Sequence, residues 1–159
     1  MRMFQSWGAA GLAFTIIIVA GSAVVWAQDK AAAVTARQAA MKQEGPDLRA
    51  ISDYANDKGT DQATALAKTQ ELLALSDKLM GLWPAGTSSK DMPGKSNAKP
   101  EIWTEMDKFK ALYAGQKKAE EELLAAVQKG DKPAVQAAVA NIGKNSCSAC
   151  HGTYREKVS

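Results

Sequence analysis

The stretch SCSACHGTYREK, residues 146–157, holds both cysteines and the one histidine of this 159-residue chain. Cys147 and Cys150 are separated by two residues, and His151 follows directly. A C-x-x-C-H pentapeptide is compatible with a thiol redox pair, part of a metal site, a disulfide or the covalent attachment of haem c. The surrounding sequence has to decide between these four readings.

The first three readings fit the context poorly. A thioredoxin-like pair begins a helix after a strand, because the helix N-terminus lowers the pKa of the reactive thiol. Here the cysteines lie near the end of a helical stretch in a chain without evident strands. A structural zinc site needs a fourth ligand, and no second Cys/His pair exists. A disulfide between Cys147 and Cys150 would close a very short loop and stabilise the fold little.

Attachment of haem c fits better. On a helix, Cys147 and Cys150 lie three residues apart on one side, so both sulfurs can reach the vinyl groups along one edge of a porphyrin. His151 is then placed to be the proximal ligand of the iron. The motif therefore predicts one covalently bound haem c per chain.

The N-terminus has the pattern of an export signal. Arg2 precedes an uncharged, mostly apolar run that ends in Val25-Trp26-Ala27, and this predicts a signal peptide over residues 1–27, cleaved after Ala27. The alternative is an uncleaved membrane anchor, since the run from Gly8 to Ala27 reaches about the 20 residues of a spanning helix. Both alternatives place residues 28–159 outside the cytoplasm, where haem c is attached, and a cleaved protein is expected to be periplasmic with no membrane contact.

The charge of the chain is small and evenly spread. The formal net charge is +3 at pH 7, and cleavage after Ala27 would lower it to +2 by removing Arg2. That balance does not indicate a nucleic-acid partner or an anionic membrane surface. The charged run QKKAEEE, residues 116–122, is interpreted as a solvated helix face.

The sequence of residues 28–159 is typical of helices throughout. Alanine, leucine, lysine, glutamine and glutamate dominate, and no stretch alternates with period two. Glycine, proline and N-cap residues divide it into four segments. They are residues 30–58, residues 60–81 with Thr60 or Asp61 as N-cap, residues 100–130 ending at Gly130, and a last segment capped by Asp131. We predict an antiparallel up-down-up-down four-helix bundle over residues 28–159, with one long connection between the second and third helices.

The first helix contains a proline. Positions 34, 38, 41, 45, 48, 52 and 55 follow a three-four helical spacing that continues through Gly45-Pro46. This favours one helix kinked at Pro46, and two shorter helices are the alternative.

Three stretches together resemble the class II c-type cytochromes, the cytochrome c′ family. They are C-S-A-C-H followed by Arg155, ARQAAM at residues 36–41, and KPEIW at residues 99–103. The resemblance covers essentially all of residues 28–159, and class I cytochromes carry the haem motif near the N-terminus instead. The family is itself an established four-helix bundle, so the resemblance and the bundle prediction are not independent.

The resemblance implies roles for single residues. Cys147 and Cys150 would carry the thioethers, His151 would bind the iron, and Arg155 would lie on the same side of the haem as His151. On the first helix, Arg37 and Gln38 match residues that approach the haem and its propionates, and a guanidinium pairs strongly with a carboxylate. Asn97 matches a loop position that often contacts a propionate.

Met41 lies one helical turn after Arg37, at the family's distal position over the second face of the iron. A methionine there binds iron in the low-spin branch, and His/Met ligation suits a carrier of single electrons. The expected function is therefore a periplasmic electron carrier with His151/Met41 ligation and redox protein partners. The alternative is a five-coordinate protein in which Met41 only packs over the haem and the iron binds NO or CO.

Enzymatic function is not expected, because a haem peroxidase needs a distal acid–base group and the chain has no second histidine. The resemblance also implies possible homodimers through the first two helices.

Overall fold

The computed structural model describes residues 22–157, and the helices dominate this part of the chain. The bounds are α1 Ser22–Ala55, α2 Gln62–Leu79, α3 Glu101–Thr104, α4 Met106–Lys129, α5 Lys132–Asn141 and α6 Ala149–Tyr154, with a π-helical segment Ile142–Ser148 between α5 and α6. Within the described part no strand is present, and the only β-type pairing is an isolated antiparallel bridge between Ala98 and Arg155.

Four of the helices, α1, α2, α4 and α5, form a closed ring in which each packs against two neighbours. α1 packs against α2 and α5, and α4 packs against the same two helices. Such a ring is the cross-section of a four-helix bundle, so the predicted fold is confirmed.

The first helix is continuous through Pro46, which lies inside α1 and is exposed. One helix rather than two is therefore correct. The spaced positions match the interior face only in part. Val34 and Ala55 are buried, whereas Gln38 and Gly45 are exposed. The charged side chains of Arg37 and Asp47 occupy interior positions that hydrophobic spacing did not indicate.

Caps set the ends of the helices as predicted. The Asp61 carboxylate accepts from Thr64 N at 2.7 Å at the start of α2, and that of Asp131 accepts from Ala134 N at 3.0 Å at the start of α5. Gly130 ends α4 in the left-handed region at φ 70°, where glycine has no steric penalty.

Two local departures were not predicted. The third helix is not continuous from residue 100, because Glu105 leaves helical geometry at φ −120°, ψ 35° and separates α3 from α4. The Glu105 carboxylate accepts from Tyr154 Oη and Lys108 Nζ, both at 3.0 Å. The second departure is the π-helical segment, in which Ser148 Oγ donates to Gly143 O at 2.8 Å.

The interior consists of two clusters at opposite ends of the bundle. One cluster, called the far-end cluster because it lies away from the pocket described below, joins the C-terminal half of α1 to α2, α4 and α5. It includes Ile51, Leu72, Leu123, Val135 and Ile142. The pocket-end cluster is rich in aromatics and consists of Ala40, Leu79, Ala98, Ile102, Phe109, Tyr113 and Tyr154.

The predicted signal peptide, residues 1–27, and the alternative anchor from Gly8 to Ala27 lie largely outside the described residues. Of the helices that the structure describes, none combines the length and the apolar character needed to cross a bilayer.

Candidate functional site

A pocket opens at the aromatic end of the bundle. Its volume is about 350 Å³, within the range of cofactor pockets. Its wall is formed by α1, the connection after α2, α3 with the start of α4, and α6. The lining residues are Arg37, Gln38, Met41, Lys42, Trp83, Asn97, Ala98, Ile102, Phe109, Cys150, His151, Tyr154 and Arg155.

Most of the residues singled out from sequence lie around this pocket. Of the eight, seven line it: Arg37, Gln38, Met41, Asn97, Cys150, His151 and Arg155. They come from positions separated by more than a hundred residues in the chain. Cys147 lies three residues before Cys150 and packs against the far-end cluster, whereas Cys150 packs against the pocket-end cluster. The two cysteines thus lie on the boundary between the clusters.

The π-helical segment Ile142–Ser148 positions the motif. A π-helix adds residues per turn, so it rotates the following side chains relative to a regular α-helix. Cys147 lies within this segment, while Cys150 and His151 lie in α6. Such segments are frequent at functional sites.

Both thiols are free and partly buried. Burial is the main cause that raises the pKa of Cys147, and it raises the pKa of Cys150 to about 11. A thiol oxidoreductase needs the opposite shift, because the thiolate is the nucleophile. The structure therefore disfavours the redox-pair interpretation.

The imidazole of His151 is half-buried, and burial together with the charge of Arg155 lowers its pKa. The ring is thus neutral at pH 7, which is the form that binds a metal. Among the described residues, no group of three or more His, Cys, Asp or Glu side chains could hold a metal ion.

Arg37 is 2% exposed and fixes the connection after α2. Its Nη1 donates to Thr87 Oγ1 at 2.8 Å and to Leu82 O at 3.5 Å. Its Nη2 donates to Thr87 O at 2.6 Å and to Ser96 Oγ at 2.7 Å. The guanidinium also lies 4.5 Å from the centroid of the Trp83 ring, a cation–π distance.

The charges around the pocket fit a haem. None of the hydrogen-bond acceptors of Arg37 is a carboxylate, and burial lowers its pKa only to about 10, so it remains a cation at pH 7. Lys42 and Arg155 add two cations to the lining, which contains no Asp or Glu. A buried cation without a counter-ion is unfavourable, and haem propionates would supply the missing negative charge.

Gln38 and Asn97 lie at the exposed rim of the pocket. Gln38 Nε2 donates to Lys95 O at 2.8 Å, and Asn97 O accepts from Glu156 N at 2.8 Å. Arg155 is exposed and bridges to Ala98 through the isolated backbone pairing. These residues tie the connection to α1 and to the chain after α6.

Trp83, the buried Glu120 and the half-buried Glu44 were not identified from sequence. Trp83 stands edge-on to Phe109, with ring centroids 4.8 Å apart, and forms a wall of the pocket. A tryptophan inside a Gly/Pro-rich connection was the available signal.

Glu120 belongs to the run QKKAEEE, which was interpreted as a solvated helix face, but its side chain is fully buried. It is hydrogen-bonded to Gln116, which also donates to Glu44. No pattern in the sequence marked these two carboxylates.

Comparison with known proteins gives a consistent family. The family model described as Cytochrome C' matches residues 32–155. A cytochrome c' of Pararhodospirillum photometricum is 30% identical over 120 residues, covering 76% of this chain and 93% of the relative. A cytochrome c' of Rhodospirillum rubrum is 27% identical over 154 residues, 97% of each chain.

The solved structures agree in fold. A ferrous variant of cytochrome c prime from Alcaligenes xylosoxidans with bound NO matches with a TM-score of 0.69 at 27% identity. The match covers 79% of this chain and 94% of that one.

Proposed function

The chain belongs to the cytochrome c′ family of haem c proteins, and from that premise we propose that it binds a small neutral gas, NO or CO, on the haem face opposite His151. Cys147 and Cys150 would hold the haem through thioethers, and His151 would be the proximal iron ligand. When bound, the haem supplies an iron that coordinates a gas and changes its charge by one electron.

The observation that carries this proposal is the similarity to a relative solved with NO bound. The pocket is consistent with it. His151 is the only histidine of the chain, so the opposite face has no second imidazole. The neighbouring wall residues Trp83, Ile102 and Phe109 are apolar, and an apolar surface favours a neutral diatomic gas over water or anions.

The remaining pocket residues would position the haem. Arg37, Lys42 and Arg155 provide the positive charge for the propionates, while Gln38 and Asn97 at the rim provide polar contacts. Because the terminal N–H groups of Arg37 already donate to the connection, its effect on a propionate would be mainly electrostatic.

A second function is favoured by one observation, the presence of Met41 in the same pocket as His151. A thioether bound to the iron would give His/Met ligation, close the gas site and make the protein an electron carrier. In the gas-binding proposal, the half-buried Met41 packs over the haem instead.

Optical spectra of the ferric and ferrous holoprotein, with and without CO, separate the two functions. Gas binding predicts a high-spin spectrum that shifts on addition of CO. A low-spin spectrum with a sulfur-to-iron charge-transfer band, unchanged by CO, would refute gas binding and support the carrier.

Periplasmic location, with cleavage after Ala27, belongs to the same proposal, because haem c is attached outside the cytoplasm. N-terminal sequencing of the exported protein tests it, with Gln28 expected as the first residue. Homodimers through α1 and α2 stay a prediction, which sedimentation of the holoprotein would test.

A further inference from the structure

Two carboxylates meet inside the bundle, outside the pocket lining. Glu44 lies on α1 and Glu120 on α4, and Gln116 Nε2 donates to Oε1 of both, at 3.3 Å and 2.9 Å. Ser76 Oγ, on α2, donates to the same Glu120 oxygen at 2.8 Å. Three helices therefore contribute to one connected polar network.

This network lacks a cation for its charge. Glu120 is fully buried, its hydrogen-bond donors are a neutral amide and a hydroxyl, and its Oε2 has no partner among the described residues. The nearby Asp47 is also fully buried, but its Oδ1 pairs with Lys68 Nζ at 3.0 Å. An unpaired buried carboxylate is stabilised by taking up a proton.

The charged groups around the pair do not supply the missing cation. Lys117 on α4 pairs with Asp77 on α2, and Lys68 on α2 pairs with Asp47 on α1. From the C-terminal segment, the titratable groups within range are the thiols of Cys147 and Cys150.

The pKa values follow from this arrangement. Burial, then the charge of Glu120, then that of Asp47 raise the pKa of Glu44 to about 7, against the hydrogen bond from Gln116. Burial also raises the pKa of Glu120, while Gln116, Ser76 and the charge of Lys117 lower it. Glu44 also raises the pKa of Tyr113 on α4.

The pair lies close to the haem attachment site, because α4, which carries Glu120, packs against the π-helical segment that contains Cys147. Negative charge on Glu44 and on Glu120 raises the pKa of the Cys147 thiol, and Glu44 also acts on Cys150. Low-dielectric surroundings strengthen such interactions. A change of charge on the iron would therefore be felt by the two carboxylates.

We propose that Glu44 and Glu120 form one proton-binding site whose occupancy follows the oxidation state of the haem. When a one-electron donor reduces the iron, the pair binds one proton from solvent through the half-buried Glu44, and it releases that proton when the electron leaves. The negative charge that the electron adds to the haem and the positive charge of the bound proton then cancel. The inference rests on haem attachment at Cys147 and not on the gas-binding function.

The test is the midpoint potential of the holoprotein as a function of pH. Uptake of one proton per electron lowers the potential by up to about 59 mV for each tenfold fall in proton concentration. We expect this slope in the wild type around neutral pH. Glu44→Gln and Glu120→Gln should each flatten it, because a glutamine keeps the shape and cannot titrate.

Glu121→Gln is the matched control, since Glu121 is the exposed neighbour of Glu120 on α4. It should keep the wild-type slope. Gln116→Leu should move the sloping region to higher pH, because the hydrogen bonds from Gln116 lower both pKa values. A slope that persists in both glutamate variants would overturn the proposal.

Two measurements remain informative if a variant does not fold. Infrared difference spectra of ¹³C-glutamate-labelled wild type should show the band of a protonated carboxyl gained on reduction. Absence of that band would overturn the coupling between reduction and protonation.

Unfolding in urea is the second measurement. The stability that protonation of Glu44 contributes to the folded state is complete below the ordinary pKa of a glutamate, and it is lost as pH rises through about 7. The wild-type midpoint should therefore fall over that range more than that of Glu44→Gln. Haem staining and CO spectra separately report whether attachment or gas binding fails.

Discussion

At the scale of single residues, Arg37 combines structural and electrostatic roles. Replacing it with methionine keeps the aliphatic stem and removes the hydrogen bonds to Leu82, Thr87 and Ser96. Buried acceptors left without donors cost about 1–3 kcal/mol each, partly offset by removal of a buried charge. We expect Arg37→Met to lower the free energy of unfolding by about 2–4 kcal/mol, measured in urea. Arg49→Met, at an exposed position of α1, is the control, and an equal effect of both would contradict the role given to Arg37.

Met41 decides between the two functions at the same scale. If it only packs over the haem, Met41→Ala leaves a high-spin spectrum unchanged and uncovers the gas site. The rate of CO binding should then rise about tenfold, equivalent to ~1.4 kcal/mol of barrier, measured by flash photolysis. Met80→Ala is the control, because Met80 packs against the same cluster without lining the pocket. Conversion from low-spin to high-spin in Met41→Ala would identify Met41 as an iron ligand.

At the scale of the helices, the N-cap of α5 stabilises the unit that leads into the haem motif. The Asp131 carboxylate accepts from Ala134 N, and loss of such a cap costs about 1 kcal/mol. Asp131→Ala should therefore lower the melting temperature by about 3 °C. Asp131→Asn should retain most of the stabilisation by the cap, because asparagine is also a good N-cap residue. The optical spectrum should not change, because Val135 on this turn belongs to the far-end cluster. A spectral change with unchanged stability would show that the cap acts on the site instead.

The same scale shows what sequence could predict. Asp61, Gly130 and Asp131 act through local backbone chemistry, so they marked helix ends correctly. The break at Glu105 and the π-helical segment Ile142–Ser148 have no such local signal. Both depend on packing across the bundle, for example on the bond from Tyr154 to Glu105.

The site divides in a similar way. The C-x-x-C-H motif and the first-helix residues were predicted because spacing and family resemblance mark them. Of these residues, Arg37, Gln38, Met41, Cys150 and His151 line one pocket. Trp83 and the pair Glu44/Glu120 were missed. Their surroundings come from helices far apart in sequence, and burial of a charged residue has no signature in composition.

At the scale of the whole molecule, the two clusters have different dependence on the haem. The far-end cluster packs helix against helix, from Ile51 on α1 to Ile142 at the start of the π-helical segment. The aromatic end encloses the pocket of about 350 Å³. Without haem, side chains there lose contacts on one side, which weakens packing. The bundle is therefore expected to open locally from its pocket end.

Amide hydrogen exchange on the full-length double variant Cys147→Ala/Cys150→Ala, which cannot attach haem covalently, tests this division. We expect the connection at residues 82–98, α3 and α6 to lose protection relative to the holoprotein, because their contacts converge on the pocket. Amides around Leu72, Leu123 and Val127 should stay protected, since these buried side chains pack within the far-end cluster. The holoprotein is the reference, and Asp131→Ala with haem attached should show weaker protection near α5 with the pocket end unchanged. If every helix of the double variant exchanges at one common rate, the bundle opens as a single cooperative unit, and haem binding stabilises the whole fold rather than one end of it.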